Sequence, residues 1–301
     1  MLNMEKNQPL LFLSDCLRHS QILKLSVVLL AVSLATVYGI SGYVGWNLTH
    51  PARKSLSVSP GTVGLEYQDV VFPSRKDGLE LKGWLIRAPE NRMTVICAHG
   101  YRQNRAQNDV PLLPIVQALS GQGINVLMFD FRNCGESEGS MTSVGQYEVL
   151  DLLGAVDFIL SQSTLNAKIA LLGFSMGASV AIMAAEEEPA ITAVVADSPF
   201  ADLTTYLKGN LSAWTDLPAI PFNRTVLTIL PVLTGLNPDE VSPLQNVSKL
   251  GTRPLLLIHG TADADIPIHD SELLQRAYPL ARLLLINGAQ HVKGFSTNRE
   301  L

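Results

Sequence analysis

An α/β architecture with a mostly parallel sheet covered on both faces is what this sequence predicts, from three observations. First, short apolar runs bounded by turn residues recur along the chain: Thr94–Ala98, Asn125–Phe129, 169–172, 193–196, 255–258 and Arg282–Ile286. Runs that are apolar on both faces are what buried parallel strands require. Second, helix-like stretches fall between them, at 110–121, 144–161, 176–188 and 269–277. Strands alternating with helices make βαβ units, whose helices cover the sheet. Third, the strand-like stretches 67–72 and 79–87 flank the turn Lys76-Asp77-Gly78, which predicts an antiparallel hairpin at the start of the domain.

One interval breaks the alternation. More than fifty residues separate the run ending at Ala196 from the one opening at Leu255, and they are rich in Leu, Ile, Val and Pro. A connection of that length carries structure of its own, so residues 201–240 are expected to form a small cap inserted over the sheet. Part of its apolar surface must pack on the domain below, and the rest is expected to line a pocket.

Upstream, the composition locates a different segment. Hydrophobic residues make up 47% of the chain and charged residues only 16%, against roughly 25% charged in an ordinary soluble domain. The excess is concentrated: no Asp, Glu, Lys or Arg occurs between Leu25 and Ala52. Residues 25–46 are long enough to cross a bilayer core of about 30 Å as a helix. Tyr38, Tyr43 and Trp46 gather toward the end of this run, as interfacial aromatics do. The expected organisation is a leader over 1–24, a transmembrane helix over 25–46, a Pro/Ser/Gly-containing linker over 47–64 and the α/β domain over 65–301. A cleaved signal peptide is the alternative, with a small-residue site at Gly39-Ile40-Ser41, although its apolar core is normally shorter, about 7–15 residues. Lys6, Arg18 and Lys24 precede the run and Arg53 and Lys54 follow it. That small excess points to an N-terminus inside and a domain outside the cytoplasm.

The formal charge of −5 carries no basic footprint for nucleic acid. Three cysteines, Cys16, Cys97 and Cys134, show no metal or disulfide spacing. Neither a metal nor a cofactor is expected, because no ligand cluster stands out.

The sharpest local pattern is Gly173-Phe174-Ser175-Met176-Gly177. As a bare GxSxG it is weak, but an apolar strand precedes it and the Ala-rich helix MGASVAIMAAEEE follows. A serine on a sharp strand-to-helix turn is displayed at the sheet edge, and the flanking glycines admit the close backbone approach this needs. The helix N-terminus points N–H groups at any oxyanion formed there. Such a hydroxyl needs a base, oriented in turn by a carboxylate, and in this context the order is Ser, acid, His. Of the six histidines, His19, His50 and His99 precede the serine. His259 precedes any acid in the following loop, and His269 is too close to Asp263 to fold back on it. His291, just past the last apolar run, is the expected base. Asp263 is favoured as the acid by its spacing from the strand end, with Asp265 and Asp197 as alternatives.

Taken together, the segments His99-Gly100-Tyr101, Asp130-Phe131-Arg132-Asn133-Cys134-Gly135-Glu136-Ser137, GFSMG, Asp197-Ser198-Pro199-Phe200, HGTADADIP and GAQH resemble the α/β-hydrolase superfamily. The likeness covers residues 67–291 in the right order. It is nearest to single-span hydrolases of the serine-aminopeptidase-like or prolyl-oligopeptidase-like kind. The resemblance implies Asp263 and His291 as partners of Ser175, and the backbone N–H groups of Tyr101 and Met176 as the oxyanion hole. It implies structural roles for His99 and for Asp130-Phe131-Arg132. Arg102 and Arg105 near the oxyanion loop read as solvated rim charges. One departure is that only residues 292–301 follow the histidine loop, too few for the helix of about a dozen residues that ordinarily closes such a sheet.

The function expected is hydrolysis of an acyl ester or thioester through an acyl-enzyme, on a small-molecule or lipid-like substrate. A peptidase on the same residues is the second reading and a non-catalytic binding protein the third.

Overall fold

The computed structural model of the chain describes residues 8–298, and the side chains of residues 18–298. Lys6 and the last residues of the domain expected over 65–301 lie outside them, as does the side chain of Cys16. Eight strands form one sheet: β1 (Gln68–Pro73), β2 (Glu80–Ile86), β3 (Thr94–Ala98), β4 (Asn125–Phe129), β5 (Ile169–Phe174), β6 (Ile191–Asp197), β7 (Leu255–Gly260) and β8 (Arg282–Ile286). Their spatial order is β1-β2-β4-β3-β5-β6-β7-β8. The pairs β1/β2 and β2/β4 are antiparallel, and every pair from β4 to β8 is parallel. From β3 the chain winds first toward β4 and then back across to β5, so the strand order reverses between β3 and β5. The crevice at the carboxyl ends of two such strands is where open α/β sheets bind ligands.

Strand alternation divides the core in two. Ile96, Ala98, Leu127 and Phe129 face one layer, while Val95, Cys97, Val126 and Met128 face the other. The first layer is covered by α3 (Glu148–Ser161) and α4 (Met176–Glu187), the second by α2 (Leu112–Gly121). Cys97 and Cys134 are buried free thiols, and burial raises both pKa values, Cys97 to about 12. They pack as small apolar groups.

The helix expected to open at 144 starts at Glu148 instead. Its carboxylate accepts hydrogen bonds from Thr142 Oγ1 (2.7 Å), Ser143 N (2.9 Å), Ser143 Oγ (2.6 Å) and Gly145 N (2.7 Å). The preceding residues are thereby held in a tight non-helical loop, with Val144 at φ 52° and Gly145 at φ 128°. Four buried polar satisfactions outweigh the helical apolar pattern there.

The cap is a helical pair, α5 (Leu203–Thr215) and α6 (Ala219–Thr234), followed by the short α7 (Pro243–Val247). The remaining helices are α8 (Ile268–Ala277) and α9 (Gly294–Thr297). The edge strand β8 leaves Leu285 45% exposed.

Helix α1 (Gln8–Thr49) extends beyond the apolar run on both sides, into the expected leader and into the expected linker. Every described side chain from 18 to 36 is exposed, whereas Ser41, Gly45, Leu48 and Thr49 are buried. Small residues make the docking: the Ser41 and Thr225 hydroxyls are hydrogen-bonded at 2.6 Å. Gly42 faces Ile229 and Leu233, and Gly45 faces Leu230. The last turn is tied down as well, since Tyr101 Oη donates to Leu48 O (2.5 Å) and Thr142 N to Thr49 O (2.8 Å). This helix is long and apolar enough to be a membrane span or a signal sequence.

Under β4, Arg132 is buried and its guanidinium donates to Asp151 (Nη2 to Oδ1, 2.6 Å) and to Ser74 Oγ (3.1 Å). Asp151 is fully buried. Removing Asp151 leaves the buried Arg132 with only the partly exposed Asp77, at 2.9 Å, as a counter-charge. We expect Asp151→Ala to cost about 3–5 kcal/mol, read as a lowered denaturation midpoint in detergent solution. Asp157→Ala, which removes the half-exposed partner of Arg75, is expected to cost about 0–1 kcal/mol.

Candidate active site

Ser175 stands on the turn between β5 and α4, at φ 54° and ψ −120°. A non-glycine residue at these angles is strained by about 1–3 kcal/mol and persists only where its surroundings over-determine it. Here they do so. A Cβ on Gly173 would overlap the backbone of Gly177 and Ala178, and one on Gly177 would overlap the carbonyl oxygens of Ala98 and His99. The Ser175 N–H donates to Asp197 O (2.8 Å), and its carbonyl accepts from Ala178 N (3.0 Å) and Ser179 N (3.2 Å). The serine turn is thus pinned to β6 on one side and to its own helix on the other.

The structure brings Ser175, His291 and Asp263 into one line. Ser175 Oγ lies 2.9 Å from His291 Nε2, and His291 Nδ1 lies 2.8 Å from Asp263 Oδ2. With the Nδ1–H donating to the carboxylate, Nε2 is left to accept the hydroxyl proton. Asp263 follows β7 and His291 follows β8, so all three sit at the carboxyl edge of the sheet.

The Asp263 side chain is fully buried, and its Oδ1 accepts from the backbone N–H of Asp265 and of Ile266 (2.9 Å each). Burial pushes this carboxyl up, but hydrogen bonds from His259 and His291, with the imidazole charge, more than offset it. The group is held well below the usual carboxylate range.

The two alternative acids sit differently. Asp265 is exposed, bonded through its backbone to Asp263, and lines the cleft. Asp197 is buried at the end of β6, where its Oδ1 accepts from Ser198 Oγ (3.1 Å). Burial pushes its pKa up to about 6, against the pull of the Ser198 hydroxyl and His291. Asp263, Asp265 and His291 bring ligand atoms within 4.8 Å of one another, the spacing of a metal site. Asp263 Oδ2 and His291 Nδ1 are hydrogen-bonded to each other at 2.8 Å.

Tyr101 follows β3 and Met176 opens α4, on the two strands where the sheet order reverses. Both line the cleft with Ser175 and His291. His99 is buried beneath them. Phe131 N donates to its Nε2 (3.0 Å), and its Nδ1 faces Gly100 O (2.8 Å). Burial lowers its pKa to about 4, so it is neutral and structural.

The expectation of a solvated rim holds for Arg102, which is exposed, and fails for Arg105. The Arg105 side chain is 3% exposed. It is paired with Asp130 Oδ2 (2.6 Å) and with Glu136, and lies over the Trp84 ring at 4.5 Å. A buried carboxylate on the neighbouring strand end draws it inward.

His259 was not singled out by the sequence. It is fully buried, with Nδ1 2.7 Å from Ser271 Oγ, Nε2 2.9 Å from Ile266 O and 3.4 Å from Asp263 Oδ2. Burial lowers its pKa, but the bond to Asp263 and the Ile266 carbonyl raise it further, for a net rise. It props the loop that carries Asp263.

The cleft over these residues has a volume of about 840 Å3, in the range of small-molecule sites. Its cap wall comes from α5 (Leu207, Leu211, Trp214) and the residues just after it. Contrary to expectation, α6 contributes none of the lining residues; its apolar face is used against α1. The opposite wall was not expected at all: it is α1 itself, through Ile40, Tyr43, Val44, Asn47 and Leu48. A signal existed in the small residues Ser41, Gly42 and Gly45, the pattern by which apolar helices approach closely.

The family model for the alpha/beta hydrolase fold matches residues 94–233. The Bacillus subtilis protein YqkD is 31% identical, over 78% of this chain and 76% of its own. The Salmonella typhimurium protein YfhR is 27% identical, over 93% of this chain and 92% of its own. Among solved structures, the Pyrococcus furiosus esterase Pf2001 superposes with a TM-score of 0.68 at 30% identity, covering 83% of this chain and 94% of its own. Strand order, serine turn and relatives agree: the chain belongs to the α/β-hydrolase family.

Proposed function

We propose that this protein is a serine hydrolase acting on acyl esters or thioesters, with Ser175 as nucleophile, His291 as base and Asp263 as the acid that orients it. The observation that carries the reading is the hydrogen-bonded line from Ser175 Oγ through His291 to Asp263, starting on a strained serine. The likeness to the Pyrococcus esterase supports it. In this mechanism Oγ attacks the acyl carbon as its proton passes to His291 Nε2. The N–H groups of Tyr101 and Met176 hold the oxyanion, and Asp263 stabilises the imidazolium. The bond from carbon to the leaving oxygen or sulfur then breaks, and His291 protonates the leaving group. Water, deprotonated by His291, repeats the attack and frees the acid. No step calls on a metal or cofactor. Helix α1 is read as a retained anchor, because its last two turns are packed into the domain.

A peptidase is the second reading, favoured by one observation. Asp109 lines the cleft, and its Oδ1 is buried with no hydrogen-bond partner among the described residues. With Asp265 it is the kind of group that receives a substrate ammonium.

Ser175→Ala and His291→Ala are each expected to lower kcat by roughly 10⁴-fold or more. Fluorophosphonate labelling of Ser175→Ala at the native rate would refute the assignment.

Asp263→Asn should cost far more activity than Asp265→Asn or Asp197→Asn. Asp197→Asn should instead change stability. A carboxyl held at about 6 in the fold, above its ordinary 3.8, binds its proton more tightly folded than unfolded. Native stability therefore falls as pH rises from about 4 to about 6 and stays lower above that. The Asn variant should be the more stable at pH 8, with the gap closing toward pH 4 in denaturant titrations.

The apolar cleft predicts a rise in kcat/KM of roughly fourfold per added methylene, at about 0.8 kcal/mol each, until it is filled. A flat profile with clear turnover of aminoacyl amides would favour the peptidase.

A further inference from the structure

Within this hydrolase reading, the placement of α1 determines where the substrate comes from. Lys24 is the last charged residue before the apolar stretch. From there a bilayer core of about 30 Å, at about 1.5 Å per residue, is crossed in about twenty residues, which reaches the neighbourhood of Val44. The fully exposed stretch 25–36 covers only about 18 Å at the same rise. A membrane holding α1 must therefore extend over the docked part of the helix, and it ends at the residues that wall the cleft: Ile40, Tyr43 and Val44.

The cap supplies an independent observation. Its contacts with α1 advance together, from Ser41 with Thr225 to Gly45 with Leu230. The two helices run parallel, and the α5–α6 connection points back toward the exposed part of α1. That end of the cap carries Trp214, 46% exposed, and Ile220, 88% exposed. Large apolar side chains bared beside a membrane helix are what an interfacial surface presents. Trp214 also lines the cleft.

We propose that the cleft opens sideways at the bilayer interface and that the substrate is an acyl-ester lipid resident in the membrane. Its acyl chain lies between α1 and α5, with its ester carbonyl delivered to Ser175. The anchor helix is then a substrate-binding wall. The proposal rests on the serine-hydrolase reading, and the following test separates the two.

Full-length protein in phospholipid vesicles is treated with a long-chain alkyl fluorophosphonate carrying a diazirine at the far end of the chain, then irradiated and mapped by peptide mass spectrometry. The expected result is a Ser175 adduct whose diazirine has inserted into α1 between residues 40 and 48. A Ser175 adduct with protein crosslinks only outside α1 overturns the lateral route and leaves the hydrolase reading standing. Failure to label Ser175 overturns the hydrolase reading itself. As a second measurement, Val44→Trp narrows the channel from the α1 side. It is expected to lower kcat/KM for a vesicle-borne long-chain ester tenfold or more relative to a water-soluble acetyl ester. An unaltered ratio overturns the proposal.

Discussion

The serine turn depends on two backbones meeting with no side chain between them. Gly177 brings the first turn of α4 onto the carbonyls that end β3, and Gly173 lets the same helix close over β5. Once that contact is made, the residue between them has no relaxed conformation available, and Ser175 is held at a positive φ with its hydroxyl clear of the sheet. Alanine at either glycine would drive helix and strand apart, and the hydroxyl would leave the reach of His291. The geometry at the site is a by-product of packing: the core closes and the strain is concentrated in one residue.

The polar groups around the turn follow from the same closure. Carboxylates enter a sheet edge only when their oxygens are bonded. Asp263 has two backbone N–H groups and a histidine, Asp130 has Arg105, and Asp151 has Arg132. The sharpest contrast is between Asp263 and Asp197, which end adjacent strands. Asp263 is surrounded by donors and stays charged, whereas Asp197 has one hydroxyl donor and is pushed toward neutrality. Asp263 therefore keeps its charge to lower pH than Asp197 does.

What the sequence disclosed was local. Parallel strands, the hairpin, the GFSMG turn and the cap interval can all be read from short-range pattern, because strand and turn preferences act over a few residues. Loop order and spacing pointed to Asp263 and His291, since both follow strands directly. Three features were not legible because they depend on partners that only the folded chain brings together. Arg105 looked like a rim charge until Asp130 placed a buried carboxylate beside it. His259 was set aside as a base by its place ahead of the acids, and its bonds to Ser271 and Asp263 emerge only in the fold. The apolar stretch at 25–46 read as a separate anchor because only its docking with α6, some 180 residues later, makes it part of the cleft. Even there, the serine and glycines at 41–45 were already suited to close packing.

The hydroxyl of Tyr101 ends on the carbonyl of Leu48, and that one bond changes what kind of attachment α1 is. A domain on a slack tether tumbles above its membrane and presents its opening to water most of the time. A domain whose loop after β3 is bolted to the final turn of its own stalk has no such freedom. On the anchored reading proposed above, height, tilt and heading of the opening are set by the stalk, and the domain would explore a membrane as a disc sliding in a plane. Encounters would then be counted per unit area of membrane, with bulk concentration bearing little on how often the cleft is filled.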